Sequence, residues 1–498
     1  MRRSGILMHI SSLPGEYGIG KLGQNAKAFI DFLAKAGINC WQVLPLTPTG
    51  YGDSPYQSSC AFAGNPYFID FDTLCFDGML CHEDYKNIEW SSESGKVDYG
   101  IIYNNCFDVL RKAYKNWNGC LMPECRLFFE ENGDWLDDYA LFCALKQKYE
   151  GKPWYEWEED LKMRKSAALK KAKKELEDEI GFQKFIQLKF YEQWIYIKKY
   201  ANDRGIEIIG DIPIYCAYDS VEAWCSPELF QFDENKNPVS VAGCPPDGFS
   251  PDGQLWGNPV YDWEYHKKTN FKWWLKRIGF ALKIYDITRI DHFRGFESYY
   301  AIPFGSKTAA EGKWEKAMGS ELFKLVRKNF GDKGIIAEDL GFLTPEVKEL
   351  LDETGYPGMK VLQFAFDNPS NVYLPHNHRH NCVVYTGTHD NDTLQGWINN
   401  LEEWQLKFCM EYCGIKDKND LCDALIRIAW TSNARYAIAQ IQDFLHLDSS
   451  ARMNTPSSFG CNWCFRTSES DFSDLLANKI NRLCCVYDRL GGMIDEAR

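Results

Sequence analysis

The chain has no run of apolar residues long enough to cross a bilayer as a helix, which takes about 18 or more in succession. After Arg2 and Arg3 the early apolar stretch, Gly5 to Met8, is too short for the h-region of a secretory signal, so a cytoplasmic protein is expected. Positive charge is also in deficit. The 56 Lys and Arg against 70 Asp and Glu leave a formal net charge of -14 and a pI near 5.3. A nucleic-acid backbone or an anionic membrane calls for a basic surface, so neither is expected as the main partner, and a neutral substrate fits better. Cysteine is not scarce, but the 19 residues follow no repeating spacing, which argues for reduced thiols rather than a disulfide framework.

What the chain does have is a 45% hydrophobic fraction over 498 residues, enough to bury a large core as roughly two to four domains or as one barrel with insertions. Aromatics make up 15%, including 17 Trp and 27 Tyr. Most belong to the core, while any left at a surface offer flat faces with a polar handle, suited to the C–H faces of sugars.

Along the chain, GILMHI (5–10) reads as a buried strand and SSLPGEYGIGKLG as a turn-rich loop. A helix follows from Ala26 to Ala36, with Phe29, Ile30 and Leu33 at helical spacing and Gly37 to stop it. The next apolar strand, Ile38 to Leu46, completes a strand–helix–strand order that implies a parallel pair. Between about 80 and 200, Lys/Glu-rich runs predict a largely helical insertion. The alternation resumes with a strand from Ile206 that ends in Asp211, a long Gly/Pro/aromatic loop over 243–263, and a helix carrying Phe271, Trp274, Leu275, Ile278 and Leu282. Strand 287–291 follows, then a helix over 315–330, strand 335–337, and a helix opened by Thr344 and Pro345 and stopped by Gly355. Strands are expected at 359–364 and 382–386, with Ile441 to Leu447 as the eighth. This pattern predicts an α/β fold, a (β/α)8 TIM barrel: residues 1–80 as its first part, 81–200 as a mainly helical subdomain, and 201–498 as the remainder with the inserted loop.

Asp291, Glu338 and Asp390 each stand past an apolar strand, where side chains of a parallel barrel face the ligand. Carboxylates converging from different strands meet the needs of glycoside cleavage, one ionised and one protonated. Arg289, two residues before Asp291, shares its strand face and is expected to lower its pKa, while Asp339 beside Glu338 would raise one of that pair. Taken singly, each carboxylate also reads as a helix cap. GIGKLG (18–23) matches the dinucleotide glycine pattern, but it follows no strand directly and lacks the distal acid. HNHRH (376–380), with His389 beyond it, offers alternate histidines without a further ligand at metal spacing and reads as a solvated loop. CNWC (461–464) has redox spacing without a redox context. Phe249, Trp256, Tyr261 and Trp263 mark the 243–263 loop as a flap over sugar rings or a loop pinned by its own aromatics.

Together SGILMHISSLPGEYGIGKLG, GDSPYQSSCAFAGNPY (52–67), GDIPIY (210–215), the 243–263 loop, ITRIDHFRG, IIAEDLG, TGTHDNDT and RMNTPSSFGCNW resemble the 4-α-glucanotransferases of glycoside hydrolase family 77, relatives of the α-amylases. The resemblance implies a (β/α)8 barrel acting on α-1,4-glucans and maltooligosaccharides without a cofactor or metal. It implies Asp291 as nucleophile, Glu338 as acid/base and Asp390 as transition-state stabiliser. It further implies Arg289 beside the nucleophile, His389 on the donor hydroxyls, Tyr56 as a stacking platform and Asp211 at the site edge. Phe249 and Trp256 are implied on a mobile acceptor-side loop, and Asn454 as a substrate contact. Ser457 and Cys464 depart from the family's usual Gly and Trp in the carboxyl-terminal motif. An α-glucan hydrolase is the alternative activity, and a non-catalytic glucan-binding protein the alternative class. Asp390, Asn391 and Asp392 suggest a Ca²⁺ ligand run but lack the glycine and distal Glu of an EF-hand loop.

Overall fold

The computed structural model describes residues 2–490 except 51, 94, 120–121, 247–250, 342 and 459. Eight parallel strands form its centre: β1 (Arg3–Leu7), β2 (Cys40–Gln42), β3 (Glu207–Ile212), β4 (Ile287–Ile290), β5 (Gly334–Ala337), β6 (Gly358–Val361), β7 (Cys382–Tyr385) and β8 (Tyr436–Gln440). Their spatial order is β6-β7-β8-β1-β2-β3-β4-β5, so chain neighbours pair and β1 meets β8. At the remaining seam the Ala337 N–H donates to the Pro357 carbonyl at 3.0 Å, next to β6, and the sheet is nearly a closed barrel. Every residue of β4, β7 and β8 is buried, as expected of parallel strands sealed on both faces.

The first crossover helix, Gln24–Lys35, buries Ala26, Phe29, Ile30, Phe32 and Leu33 and ends before Gly37, whose φ of 68° only glycine adopts freely. The stretch expected to be helical holds Tyr99–Asn116, Pro123–Lys148, Ser166–Glu175 and Glu177–Asn202. The last of these lies against the segment after β2. There the buried Gln187 amide exchanges two hydrogen bonds with the Gly64 backbone, at 2.7 and 2.9 Å. The glycines of GIGKLG serve packing: a Cβ on Gly20 would sit 1.8 Å from the Ile10 carbonyl oxygen.

Three expectations are corrected. The 243–263 segment is not all loop. Its flanks form the antiparallel strands Ser240–Cys244 and Gln254–Pro259, in a four-stranded sheet with Ser298–Pro303 and Lys313–Lys316. Glycines and prolines hide the alternation, and one of the two pairing partners of Ser240–Cys244, the Ser298–Pro303 strand, comes from some sixty residues away by chain. That sheet also claims Lys313–Lys316, so the helix expected from 315 begins at Gly319. The eighth strand is Tyr436–Gln440, and Ile441–Phe444 is a helical turn. Ala437 and Ala439, small and fully buried, give that strand no branched signature.

Candidate active site

Asp291 and Glu338 follow β4 and β5 directly, and Asp390 lies on the loop after β7. Parallel strands bring all three to one mouth of the barrel. The ends of β3, β4 and β5 are stitched there by backbone bonds: Asp291 N–H to the Ile212 carbonyl at 3.1 Å, Glu338 N–H to Ile290 at 3.0 Å, and Phe293 N–H back to Glu338 at 3.0 Å. None of the three side chains caps a helix; the neighbouring caps are His292, Thr344 and Thr393.

Register decides the electrostatics. Asp211 on β3 stands opposite Arg289 on β4, so both point to the same side of the sheet. Arg289 Nη1 lies 2.6 Å from Asp211 Oδ2 and 3.2 Å from Asp291 Oδ1, and Tyr56 Oη donates to the same Asp211 oxygen at 2.9 Å. One guanidinium thus serves two carboxylates. The nearer, Asp211, has a wholly buried side chain, so it lies beneath the site instead of at its edge.

The Asp291 side chain is 26% exposed, opening to the cleft but walled by protein. Burial pushes its pKa up to about 6; Arg289 opposes this, while Asp211 and Asp390 add to it. Arg289 therefore acts in the expected direction, but desolvation outweighs it. Glu338 rises further, to about 8, again chiefly by burial, with Asp291 contributing. It does so although the His292 N–H donates to its Oε2 at 2.7 Å and the Leu340 N–H to its Oε1 at 3.0 Å. Asp339 is not the cause: its carboxyl turns away to accept the Met359 N–H on β6 at 2.5 Å.

These shifts fix an expected pH profile. The roles that the resemblance implies, Asp291 as nucleophile and Glu338 as acid, require Asp291 ionised, above about 6, and Glu338 protonated, below about 8. A plot of kcat/KM for the free enzyme should therefore be bell-shaped, rising through the lower value and falling through the upper one. Initial rates from pH 4 to 10 check it, and an activity that kept rising above pH 9 would contradict the assignment of Glu338 as the acid.

Asp390 is held by Asn454, whose Nδ2 donates to its Oδ1 at 2.7 Å, and by Arg452, whose Nη2 donates to its carbonyl at 2.6 Å. His389 Nε2 lies 3.4 Å from Asp390 Oδ2, and burial lowers the imidazole's pKa, favouring the neutral form. The His389 ring stacks on Tyr56 with centroids 4.9 Å apart and planes at 15°, and Trp463 leans on both. Trp256 sits on the Gln254–Pro259 strand with its ring edge-on to His292 at 4.9 Å. Phe249 lies outside the described residues. The fold thus gathers Tyr56, Asp211, Arg289, Asp291, Glu338, His389, Asp390 and Asn454 into one network.

His292 and Trp463 were missed as site residues. His292 adopts a left-handed φ of 46°, which turns its N–H onto Glu338; no side-chain pattern signals that. Trp463 lies inside a motif already singled out, and its being that motif's one tryptophan was the available signal. The HNHRH histidines disperse: His376 pairs with Tyr412, His378 with the Tyr373 carbonyl and His380 with the Asn433 carbonyl. Among the described residues no cluster of three His, Cys, Asp or Glu is arranged to hold a metal, and Cys461 and Cys464 are free thiols.

Carboxylates, an arginine and stacked aromatic rings converging on the mouth of a parallel barrel define a (β/α)8 enzyme of the class that cleaves glycosidic bonds with paired carboxyl groups. The family model described as 4-alpha-glucanotransferase, glycoside hydrolase family 77, matches residues 8–471. A 4-alpha-glucanotransferase of Clostridium butyricum is 50% identical over 97% of this chain and 100% of its own length. A chloroplastic/amyloplastic one of Arabidopsis thaliana is 40% identical over 98% of this chain and 86% of its own. The amylomaltase of Streptococcus agalactiae, solved in complex with acarbose, superposes with a TM-score of 0.96 at 40% identity, covering 98% of this chain and 100% of that one. The chain belongs to the 4-alpha-glucanotransferase family.

Proposed function

We propose that this enzyme moves α-1,4-glucan segments from a donor maltooligosaccharide to the 4-hydroxyl of an acceptor glucan or glucose, by a retaining double displacement. Asp291 attacks the anomeric carbon while Glu338 protonates the departing O4, giving a β-linked glucosyl–Asp291 intermediate. Glu338, now a base, then takes the proton of the acceptor's 4-hydroxyl, which attacks from the vacated side. Asp390 and His389 bind the donor's ring hydroxyls more tightly as positive charge develops. Tyr56 offers a stacking face, Trp256 the acceptor flank together with Phe249, and Asn454 and Arg289 hold Asp390 and Asp291 in place. The observation that carries this reading is geometric: Asp291 and Glu338 stand side by side at the ends of the paired strands β4 and β5, with Arg289 3.2 Å from Asp291, and burial raises both carboxyls, Glu338 the further.

The domain division at about 80 and 200 belongs to the same proposal. The cytoplasm, as a site of glycogen or maltose turnover, belongs to it too and is supported by the free state of the cysteines among the described residues.

Incubation with maltotriose alone tests the activity. A transferase yields glucose together with a ladder of longer oligosaccharides, because an acceptor stacked at high effective molarity outcompetes water. A steady rise in reducing ends with no product longer than maltotriose would make the enzyme a hydrolase instead.

A further inference from the structure

The loop that carries His389 and Asp390 begins where β7 ends, at Thr386, and finishes where the helix Leu394–Asn399 starts. Both ends meet one side chain. Asp443, fully buried on the helical turn after β8, accepts the Thr386 hydroxyl on Oδ2 at 2.5 Å and the Leu394 backbone N–H on Oδ1 at 2.8 Å. Thr386 is itself fully buried, so no water competes for these bonds. Between the two ends the loop has its own ties. Asn391 Oδ1 accepts the Thr388 N–H and hydroxyl, both at 2.9 Å, and the Asp392 carbonyl accepts the Gln363 and Gln440 amides at 2.7 and 3.3 Å. The Asn391 bonds fix the loop's internal shape and the Gln363 and Gln440 amides tether its middle to the barrel, whereas Asp443 alone meets both of its ends.

We propose that Asp443 is a positioning residue for the transfer reaction, stapling both ends of the 386–394 loop so that Asp390 and His389 face the sugar bound at Asp291. Asp443 itself lies too deep to touch substrate. Both carboxylate oxygens are engaged, and removing the group leaves the Thr386 hydroxyl and the Leu394 N–H unpaired in a dry interior. The loop then shifts to satisfy them. A misplacement of about 1 Å at a group that stabilises the transition state costs on the order of 100-fold in rate. The inference rests on the role assigned to Asp390 above.

The test compares Asp443→Ala with Asp443→Asn in the full chain, on maltotriose and on α-maltosyl fluoride. Fluoride leaves without a proton, so the rate of its first-turnover release reports on the step in which Asp291 and Asp390 act and Glu338 is not needed. Asp443→Ala is expected to lose about 100-fold in kcat on both substrates, with KM little changed. Asp443→Asn should recover most of kcat, because its amide oxygen can accept the Leu394 N–H while its NH₂ donates to the Thr386 hydroxyl, which both donates and accepts. A folded Asp443→Ala protein with kcat within a few-fold of wild type on both substrates would overturn the proposal, whatever its Tm. So would a loss confined to maltotriose. If Asp443→Ala does not fold, Thr386→Val against Thr386→Ser decides. The valine variant should lose kcat on both substrates and the serine variant retain it, and equal rates would overturn the proposal. Wild type inactive on both substrates would instead refute the proposed function.

Discussion

Replacing Asp291 by asparagine is expected to lower kcat on maltotriose by about 10⁴-fold or more, the scale seen when a nucleophile is removed from a site that still binds its substrate. That loss corresponds to about 5 kcal/mol of transition-state stabilisation. Folding should survive. Arg289 keeps its shorter contact with the buried Asp211, so no cation is stranded, and the asparagine side-chain oxygen remains able to accept from Nη1 at the present 3.2 Å contact. Binding should survive as well, and titration of tryptophan fluorescence with a maltooligosaccharide would show it, since Trp256 and Trp463 lie in the site. Asp291→Ala adds a chemical signature. The space left beside the anomeric carbon admits azide, which attacks α-maltosyl fluoride from the nucleophile's side and gives the β-maltosyl azide. A variant with undiminished turnover, or an azide product of α configuration, would remove Asp291 from the nucleophile's role.

Glu338→Gln is expected to lose about 10²- to 10⁴-fold on maltotriose, where the leaving sugar oxygen needs a proton. On α-maltosyl fluoride the first step should run near the wild-type rate, because fluoride departs unassisted. Transfer to an acceptor then lacks its base, so a maltosyl–enzyme adduct should accumulate and be visible as an added mass on the intact protein. Azide, which needs no deprotonation, should discharge that adduct as the α-maltosyl azide, opposite in configuration to the product of Asp291→Ala. Equal losses in the rate of the first step on the two substrates would mean that Glu338 acts in binding or structure and not as the acid. The amide keeps the acceptor needed by one backbone donor while meeting the other with an N–H, so a modest structural cost at His292 or Leu340 is part of the expectation.

Much of the site was legible in the sequence because it depends on short-range geometry. Two-residue alternation along ITRID puts Arg289 and Asp291 on one face, and they are in contact. Apolar runs ending in an acid located Asp291 and Glu338 at strand ends, and parallel connections place such ends on one side. Asp443 was not legible. It sits in a stretch that reads as strand, and only the true position of β8, one step earlier in the chain, turns it toward the Thr386 loop. The antiparallel sheet beside the barrel escaped notice for a similar reason, since its strands are joined across the Asp291 segment itself.

The sequence by itself determined the barrel's first seven strands, the places of Asp291, Glu338 and Asp390 beyond three of them, and the arginine next to Asp291. These follow from periodicity and from residue types that lie within a few positions of one another. Only the tertiary structure decided how those groups are charged and what holds them. The β3–β4 register sets Asp211 against Arg289, and burial raises Asp291 where its arginine neighbour alone would lower it. The turn at His292 aims a backbone N–H at Glu338, and Asp443 reaches both ends of the Asp390 loop. Each of these is a matter of distance and dielectric between residues far apart in the chain, and such quantities exist only once the barrel has closed.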